Sequence, residues 1–308
     1  MDYTPYKLKN WVKQDKIDWK LISLNPRSIC ILNEKIKQND PYLNWNGLSM
    51  NPNGPIILEK FIDKIEWDSL SHNPNAIHLL EKNPDKINWE ILSNNPNAIH
   101  LLENNLDKIN WVQLSTNPNA IDLLKKHPDK IDWFWLSENP NAIDLLKKNP
   151  DKIHWPSLCV NPAAIDLIEN NQEKIDWNFL SGNINAIKLL NQNLDKISWT
   201  KLSINPNAID ILRNNIDKID WQLLTINPNA GDLIYENIDK INWFWISENP
   251  CIFEINYKKI YNRMNIIKEE LIQKVLHPEK LIYFIDKYNY DIGDDEYINK
   301  LFQLKNIF

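Results

Sequence analysis

Glycine is almost missing from this chain, with five residues in 308. So little glycine excludes the Gly-rich loops that cradle phosphates in P-loop and dinucleotide-binding proteins. Cysteine is scarcer still. Cys30, Cys159 and Cys251 are odd in number and far apart, which reads as reduced thiols in a reducing compartment. There is no surplus of positive charge: the net charge is -6 and the pI near 5.6. That balance argues against a nucleic-acid backbone as the main ligand. No apolar run approaches the length of a membrane span. The opening Met1-Asp2-Tyr3-Thr4 leads into a charged segment without the apolar core of a signal peptide. No Asn-x-Ser/Thr sequon occurs. These absences lead to the expectation of a cytoplasmic protein with no nucleic-acid partner and no membrane partner.

Catalytic signatures are missing as well. There is no H-E-x-x-H, CxxC or G-x-S-x-G. His154 and Cys159 are close in sequence, but on a short helix they point in different directions and make no dyad. The expectation is a non-enzyme with no cofactor, no metal and no small-molecule substrate.

Tryptophan, by contrast, is abundant, with 14 residues. Trp45, Trp67, Trp89, Trp111, Trp133, Trp155, Trp177, Trp199, Trp221 and Trp243 follow one another at a spacing of 22 residues. A fixed period in this range signals a stacked architecture. Trp19 precedes Trp45 by 26 residues and opens a degenerate unit with a four-residue insertion. One unit reads Trp133-Phe-Trp-Leu-Ser-Glu-Asn-Pro-Asn-Ala-Ile-Asp-Leu-Leu-Lys-Lys-Asn-Pro-Asp-Lys-Ile-His154.

Asn-Pro occurs twice in that unit and is a helix-start signal. Asn at the N-cap accepts from orphan amides, and Pro at the first helical position lacks a donor that would go unsatisfied. The following Asp sits where the helix dipole favours a negative charge. The second Asn also ends the preceding helix if it takes the left-handed conformation. The pattern therefore predicts two helices of roughly 8–10 residues per unit. Such helices are marginal alone, so they must pack on equivalents in neighbouring units, with the tryptophans as a buried spine. The competing fold is a leucine-rich horseshoe, but its Leu-x-x-Leu-x-Leu-x-x-Asn frame fits Trp133-x-x-Leu136-Ser137-x-Asn139 poorly, with the Asn two positions early and no middle leucine, and helices are the favoured reading.

The expected fold is all-α: an α-solenoid of about ten two-helix repeats with helical caps at both ends. Residues 1–44 are expected to form the N-terminal cap and degenerate repeat, 45–254 the tandem repeats, and 255–308 a C-terminal helical cap. At ~9–10 Å per packed layer, ten layers would extend on the order of 90–100 Å as a rod or shallow arc. In the tail, Ile260, Met264, Ile267, Leu271 and Val275 stand at helical spacing, and His277-Pro278 breaks the pattern. A second helix is expected to about Tyr288, followed by a turn at Gly293.

The tandem Trp-x-x-Leu-Ser-x-Asn-Pro-Asn-Ala-Ile-x-Leu-Leu units, followed by Lys268-Glu269-Glu270-Leu271 and Leu276-His277-Pro278-Glu279-Lys280, resemble repeat proteins of giant, mimivirus-like DNA viruses. The composition, rich in Asn, Lys and Ile, suits an AT-rich genome of that kind. The resemblance covers about residues 19–300. It implies a repeat protein of host cytoplasm or viral factory, or of the virion, and implies no activity. The degenerate first unit and Cys251-Ile252-Phe253, which replaces Asn-Ala-Ile, depart from the pattern.

Residues that recur in every unit maintain the stack, and residues that vary are where partner choice can reside. Lys64, Lys86 and their equivalents to Lys240 each follow an acidic residue, and read as a ladder of surface ion pairs worth little individually. A second row begins at His78 and His100 and continues through Asp122, Asp144, Asp166, Lys188, Asp210 and Asp232. The five aspartates are candidate contacts for a basic partner. One layer apart and without further ligands, the two histidines are poor metal ligands. Phe134-Trp135 and Phe244-Trp245, five units apart, stand where other units place polar residues. The stack therefore does not require aromatics there, and these four are candidate hot spots for a protein or peptide partner. The expected function is an interaction scaffold. The alternative is a structural viral component that self-associates through these pairs.

Overall fold

The computed structural model describes residues 4–41 and 43–274, with Tyr283 and Lys287 beyond them. Two compact units divide the chain, residues 1–254 and 255–308. The first is an all-α repeat array. The only strands among the described residues are β1 (Tyr6–Leu8) and β2 (Phe253–Ile255).

Each repeat carries two helices, shorter than the sequence suggests. In the unit opening at Trp133, a Trp-led helix spans Trp133–Leu136 and an Ile-led helix spans Ile143–Lys148. The second Asn-Pro does not launch the Trp-led helix. It opens a single 3-10 turn, Pro150–Lys152, after which Ile153 is extended at φ -67°, ψ 122°. The residue before each Trp is the actual cap. Asp132, Asn110, His154 and Asp220 each accept from a first-turn amide through the side chain. Nor does the second Asn turn left-handed: Asn149 has φ -132° and donates from Nδ2 to Leu145 O at 2.9 Å. Among the described residues only Asn39 is left-handed, at φ 51°. It follows the long Ile-led helix Ile29–Lys37, which absorbs the insertion in the first unit.

The first Asn of each unit holds the stack together. Asn139 is fully buried. Its Oδ1 accepts from Asn141 N at 3.0 Å, closing a local turn. Its Nδ2 donates across the interface to Ser115 O at 3.0 Å and Asn117 O at 2.8 Å in the preceding unit. Asn141 Nδ2 donates to Pro118 O at 2.8 Å, and Asp132 N donates to Ser115 Oγ at 3.0 Å. The same bonds repeat from unit to unit, so Leu-Ser-x-Asn-Pro-Asn is an inter-unit code. Because each buried amide meets acceptors, no buried side-chain polar atom among the described residues is left unpaired.

The apolar spine is leucine and alanine, not indole. Leu70, Leu92, Leu114, Leu136, Leu158 and their equivalents are fully buried, with Ala98, Ala120 and Ala142 beside them. The repeat tryptophans are half-buried and flank this core. Their outer faces are covered by lysine: Lys108 Nζ lies 4.4 Å from the Trp89 ring centre, Lys152 4.7 Å from Trp133 and Lys174 4.4 Å from Trp155. The lysine ladder is thus as much a cation–π ladder as an ion-pair one. Exposure lowers what each indole contributes. Trp133→Ala should cost about 2–3 kcal/mol, less than the roughly 3–5 kcal/mol expected for Leu136→Ala. Urea melts of the two variants check the order, and a larger loss for Trp133→Ala would restore the indole spine.

The expected rod does not form, because the array closes on itself. Asn25 Nδ2 donates to Ser247 O at 3.2 Å and Asp18 N to Ser247 Oγ at 2.8 Å. These are the ordinary inter-unit bonds, now made between the first unit and the last. Arg27 replaces the outer Asn of the code and keeps its bond, Nη1 to Pro250 O at 3.0 Å. The last unit also lacks a second half, and the N-terminal segment supplies it. Asp15-Lys16-Ile17-Asp18 repeats the Asp-Lys-Ile-Asp that precedes Trp133. Lys16 sits 5.7 Å from the Trp243 ring, as Lys152 does over Trp133. β1 pairs with β2, Lys9 N donates to Ile252 O at 2.8 Å, and Lys7 pairs with Glu254 at 2.9 Å. Trp11 packs on Trp243 and Tyr235. Residues 4–254 thus form a closed ring of eleven units, and the first unit is a member of the stack in place of a cap.

The Trp-led helices of neighbouring units run close alongside one another, while successive Ile-led helices approach more sparsely. In a closed ring the tighter layer is the inner one. Eleven helices at ~8–10 Å spacing cannot meet at the axis, so they surround an opening on the order of 20 Å wide.

In the second compact unit, one amphipathic helix spans Tyr257–Lys274. The expected break at His277-Pro278 and the turn at Gly293 lie outside the described residues.

Candidate interaction surface

On the Trp-led helices, the Leu and Ser three and four residues after Trp are buried. At 100° per residue, the positions one, two and five after Trp point away from that core. Because these helices form the inner layer, those positions face the opening. They are also where the units differ most. They hold most of the exposed large apolar residues of the ring: Met50, Val112, Phe134, Trp135, Val160, Phe179, Phe244 and Trp245.

Phe134 and Trp135 are 44% and 37% exposed, and Phe244 and Trp245 are 47% and 38% exposed. Neither pair fills a groove between layers. Within each pair the rings meet edge to face, at 5.0 Å and 81° in the first and 5.1 Å and 84° in the second. His154 stacks on Phe134 at 4.4 Å, and its Nδ1 accepts from Ser157 N. Five units separate the pairs one way round and six the other, so they stand nearly opposite across the opening.

The aspartate row lies elsewhere. Asp122, Asp144, Asp166, Asp210 and Asp232 are the second residues of the Ile-led helices, in the outer layer, and all are exposed. The row position meets the preceding unit's helix: His78 pairs with Glu59 at 2.9 Å and His100 with Glu81 at 2.8 Å. The same register sets Asp144 opposite Lys125 and Asp166 opposite Lys147. Asp122 pairs with Lys125 in its own helix at 3.1 Å. Of the five aspartates, Asp122 alone has an ion pair among the described residues, and the structure does not bring the row together with the aromatic pairs.

No family model, curated protein or solved structure matches this chain.

Chemistry at single sites is sparse. Cys159 is fully buried, and burial pushes its thiol above the ordinary range; burial pushes the Cys251 thiol up to about 12. Both are poor nucleophiles at neutral pH. Among the described residues no group of three or more His, Cys, Asp or Glu is arranged to hold a metal. No helix among them is long and apolar enough to cross a membrane. A cavity of about 400 Å³ lies against Pro52, Ile56, Glu59, Asn75 and His78, bordered by the His78–Glu59 pair.

Sequence reasoning selected the two aromatic pairs but missed Val112, Phe179 and Val160. Their signal was present: each is a large apolar residue at one of the same three unit-variable positions.

Proposed function

We propose that this chain is a protein–protein interaction scaffold that binds a protein or peptide partner along the inner face of its ring. The carrying observation is the concentration of exposed apolar side chains at the variable positions of the Trp-led helices. A surface needed only for stacking would repeat, as the Leu, Ser and Asn positions do. The outer aspartate row is the weaker candidate, because Lys125, Lys147 and their neighbours run along the same outer helices. A viral-factory or host-cytoplasmic setting rests on the resemblance of the repeat alone. Photo-crosslinking in the expressing cells tests the face. A benzoylphenylalanine at position 178, on the inner layer, should give discrete adducts, and one at position 144, on the outer layer, should give none. Adducts from 144 alone would place binding on the outer helices and end this reading.

A second reading, self-association as a structural component, is favoured by one observation. Met264, Ile267 and Leu271 of the helix Tyr257–Lys274 stand at helical spacing and are each more than half exposed. A helix in water buries such a stripe against a partner, a second copy included.

A further inference from the structure

We propose that Phe134-Trp135-Glu138 and Phe244-Trp245-Glu248 are twin clamps for the cationic side chains of a basic protein segment entering the ring. This rests on the scaffold reading above and names the partner's chemistry. In each clamp the glutamate follows the aromatic pair by three and four residues: Glu138 lies in the turn that ends the helix Trp133–Leu136, its N donating to Trp135 O at 3.2 Å, and Glu248 closes the 3-10 turn Trp245–Glu248. Two edge-to-face rings beside a carboxylate are the elements of an aromatic cage for an ammonium or guanidinium group.

The ring itself shows which ligand such indoles lack. Eight of its eleven repeat tryptophans, Trp19 and Trp243 among them, carry a lysine over the ring. Trp135 and Trp245 are the exposed indoles, and among the described residues no cation covers either. Neither glutamate has an ion-pair partner among the described residues. Glu138 Oε1 accepts from Ser157 Oγ at 3.1 Å, leaving oxygen capacity for a charged donor. Glu248 is half-buried, a costly state for a carboxylate that a bound cation would relieve. The arrangement occurs in two of the eleven units, and the other nine lack it.

The partner is therefore a segment bearing Lys or Arg on both sides. Across an opening on the order of 20 Å, an extended chain spans the two clamps with about six residues at ~3.3–3.6 Å each. Fluorescence anisotropy with labelled Gly/Ser peptides tests this on the full chain. Three probes are used: two arginines six residues apart, one arginine, and two norleucines. The two-arginine peptide should bind about a hundredfold more tightly than the single one, and the norleucine peptide should not bind. Trp135→Ala and Glu138→Gln should each weaken the two-arginine peptide about tenfold, and Trp245→Ala likewise, with unchanged melting. Equal binding of the norleucine peptide, or undiminished binding to a Trp135→Ala/Trp245→Ala double variant, would overturn the clamps. Silence of all peptides with crosslinks still arising from position 178 overturns the clamps alone; loss of those crosslinks as well removes the scaffold reading.

Discussion

Removing residues 1–17 should open the ring. The truncation takes away β1, the half-buried Trp11 and the buried Val12 and Ile17, together with Lys16 over Trp243. At ~1.5–3 kcal/mol per buried apolar side chain, the seam loses about 5–8 kcal/mol. The remaining bonds from Asp18, Asn25 and Arg27 hold polar groups together but bury little apolar surface. Spin labels at positions 20 and 222 report the change directly. Through the seam they are two units apart; along the chain they are nine apart. The intact protein should give one short distance, and the truncated one a broad, long distribution. An unchanged short distance would mean that the side-chain bonds of the seam suffice, and that the N-terminal segment is not the closing piece.

Asn139→Ala should be strongly destabilising, because the side chain it removes is fully buried. It deprives the buried Ser115 carbonyl of its donor, takes one of two donors from Asn117 O, which keeps Ala120 N at 3.1 Å, and removes the local turn to Asn141. One orphaned acceptor at ~1–3 kcal/mol and two further lost hydrogen bonds at ~0.5–1.5 kcal/mol each put the cost at about 2–6 kcal/mol. Asn139→Asp should be at least as severe. The aspartate keeps the acceptor for Asn141 N but faces two carbonyl oxygens with a negative charge. Asn141→Ala removes one exposed bond and should cost only about 0.5–1.5 kcal/mol. Chemical denaturation of the three variants gives the order. If Asn139→Ala and Asn141→Ala cost the same, the buried amide is not the device that joins units.

The ladder explains what the sequence made legible and what it hid. The 22-residue period fixed the unit, and proline fixed where turns begin, because both are local properties. The role of Asn139 was half visible. Asn before Pro reads as a cap, and Asn139 does accept from a nearby amide, but its other end reaches a unit away, where only the fold supplies partners. Trp133 was misread for a related reason. A large aromatic at a fixed position suggests a buried knob, yet the layer spacing is set by Leu136, Ser137 and Ala142, which are small enough to let neighbouring helices approach. The indole is left at the margin, where Lys152 covers it.

Closure was hidden most deeply, since it depends on a small rotation per unit summed round the array. A trace of it is nonetheless written at the two ends. Asp15-Lys16-Ile17-Asp18 is the second half of a unit with no first half, and Trp243 to Ile252 is a first half with no second. Gly231 fits the same account. It stands where eight of the other units carry Ile, and a Cβ there would come within 3.2 Å of Cys251 Cβ in the last unit. The candidate surface was legible only in part. Aromatic pairs stand out against a polar consensus, but that they face each other across an opening follows from closure and from nothing in either segment alone.

A ring also sets a rule for how this gene can change length. An open array gains or loses a repeat by recombination between copies, and each resulting protein still stacks, with two free ends as before. Here ten or twelve copies in place of eleven would leave the first and last units out of register, and every member would have to alter its tilt to meet. Drift in copy number, the ordinary fate of tandem DNA, is thus checked by geometry. Sequence change at the inward positions stays free, and that is where diversification of such proteins should be found.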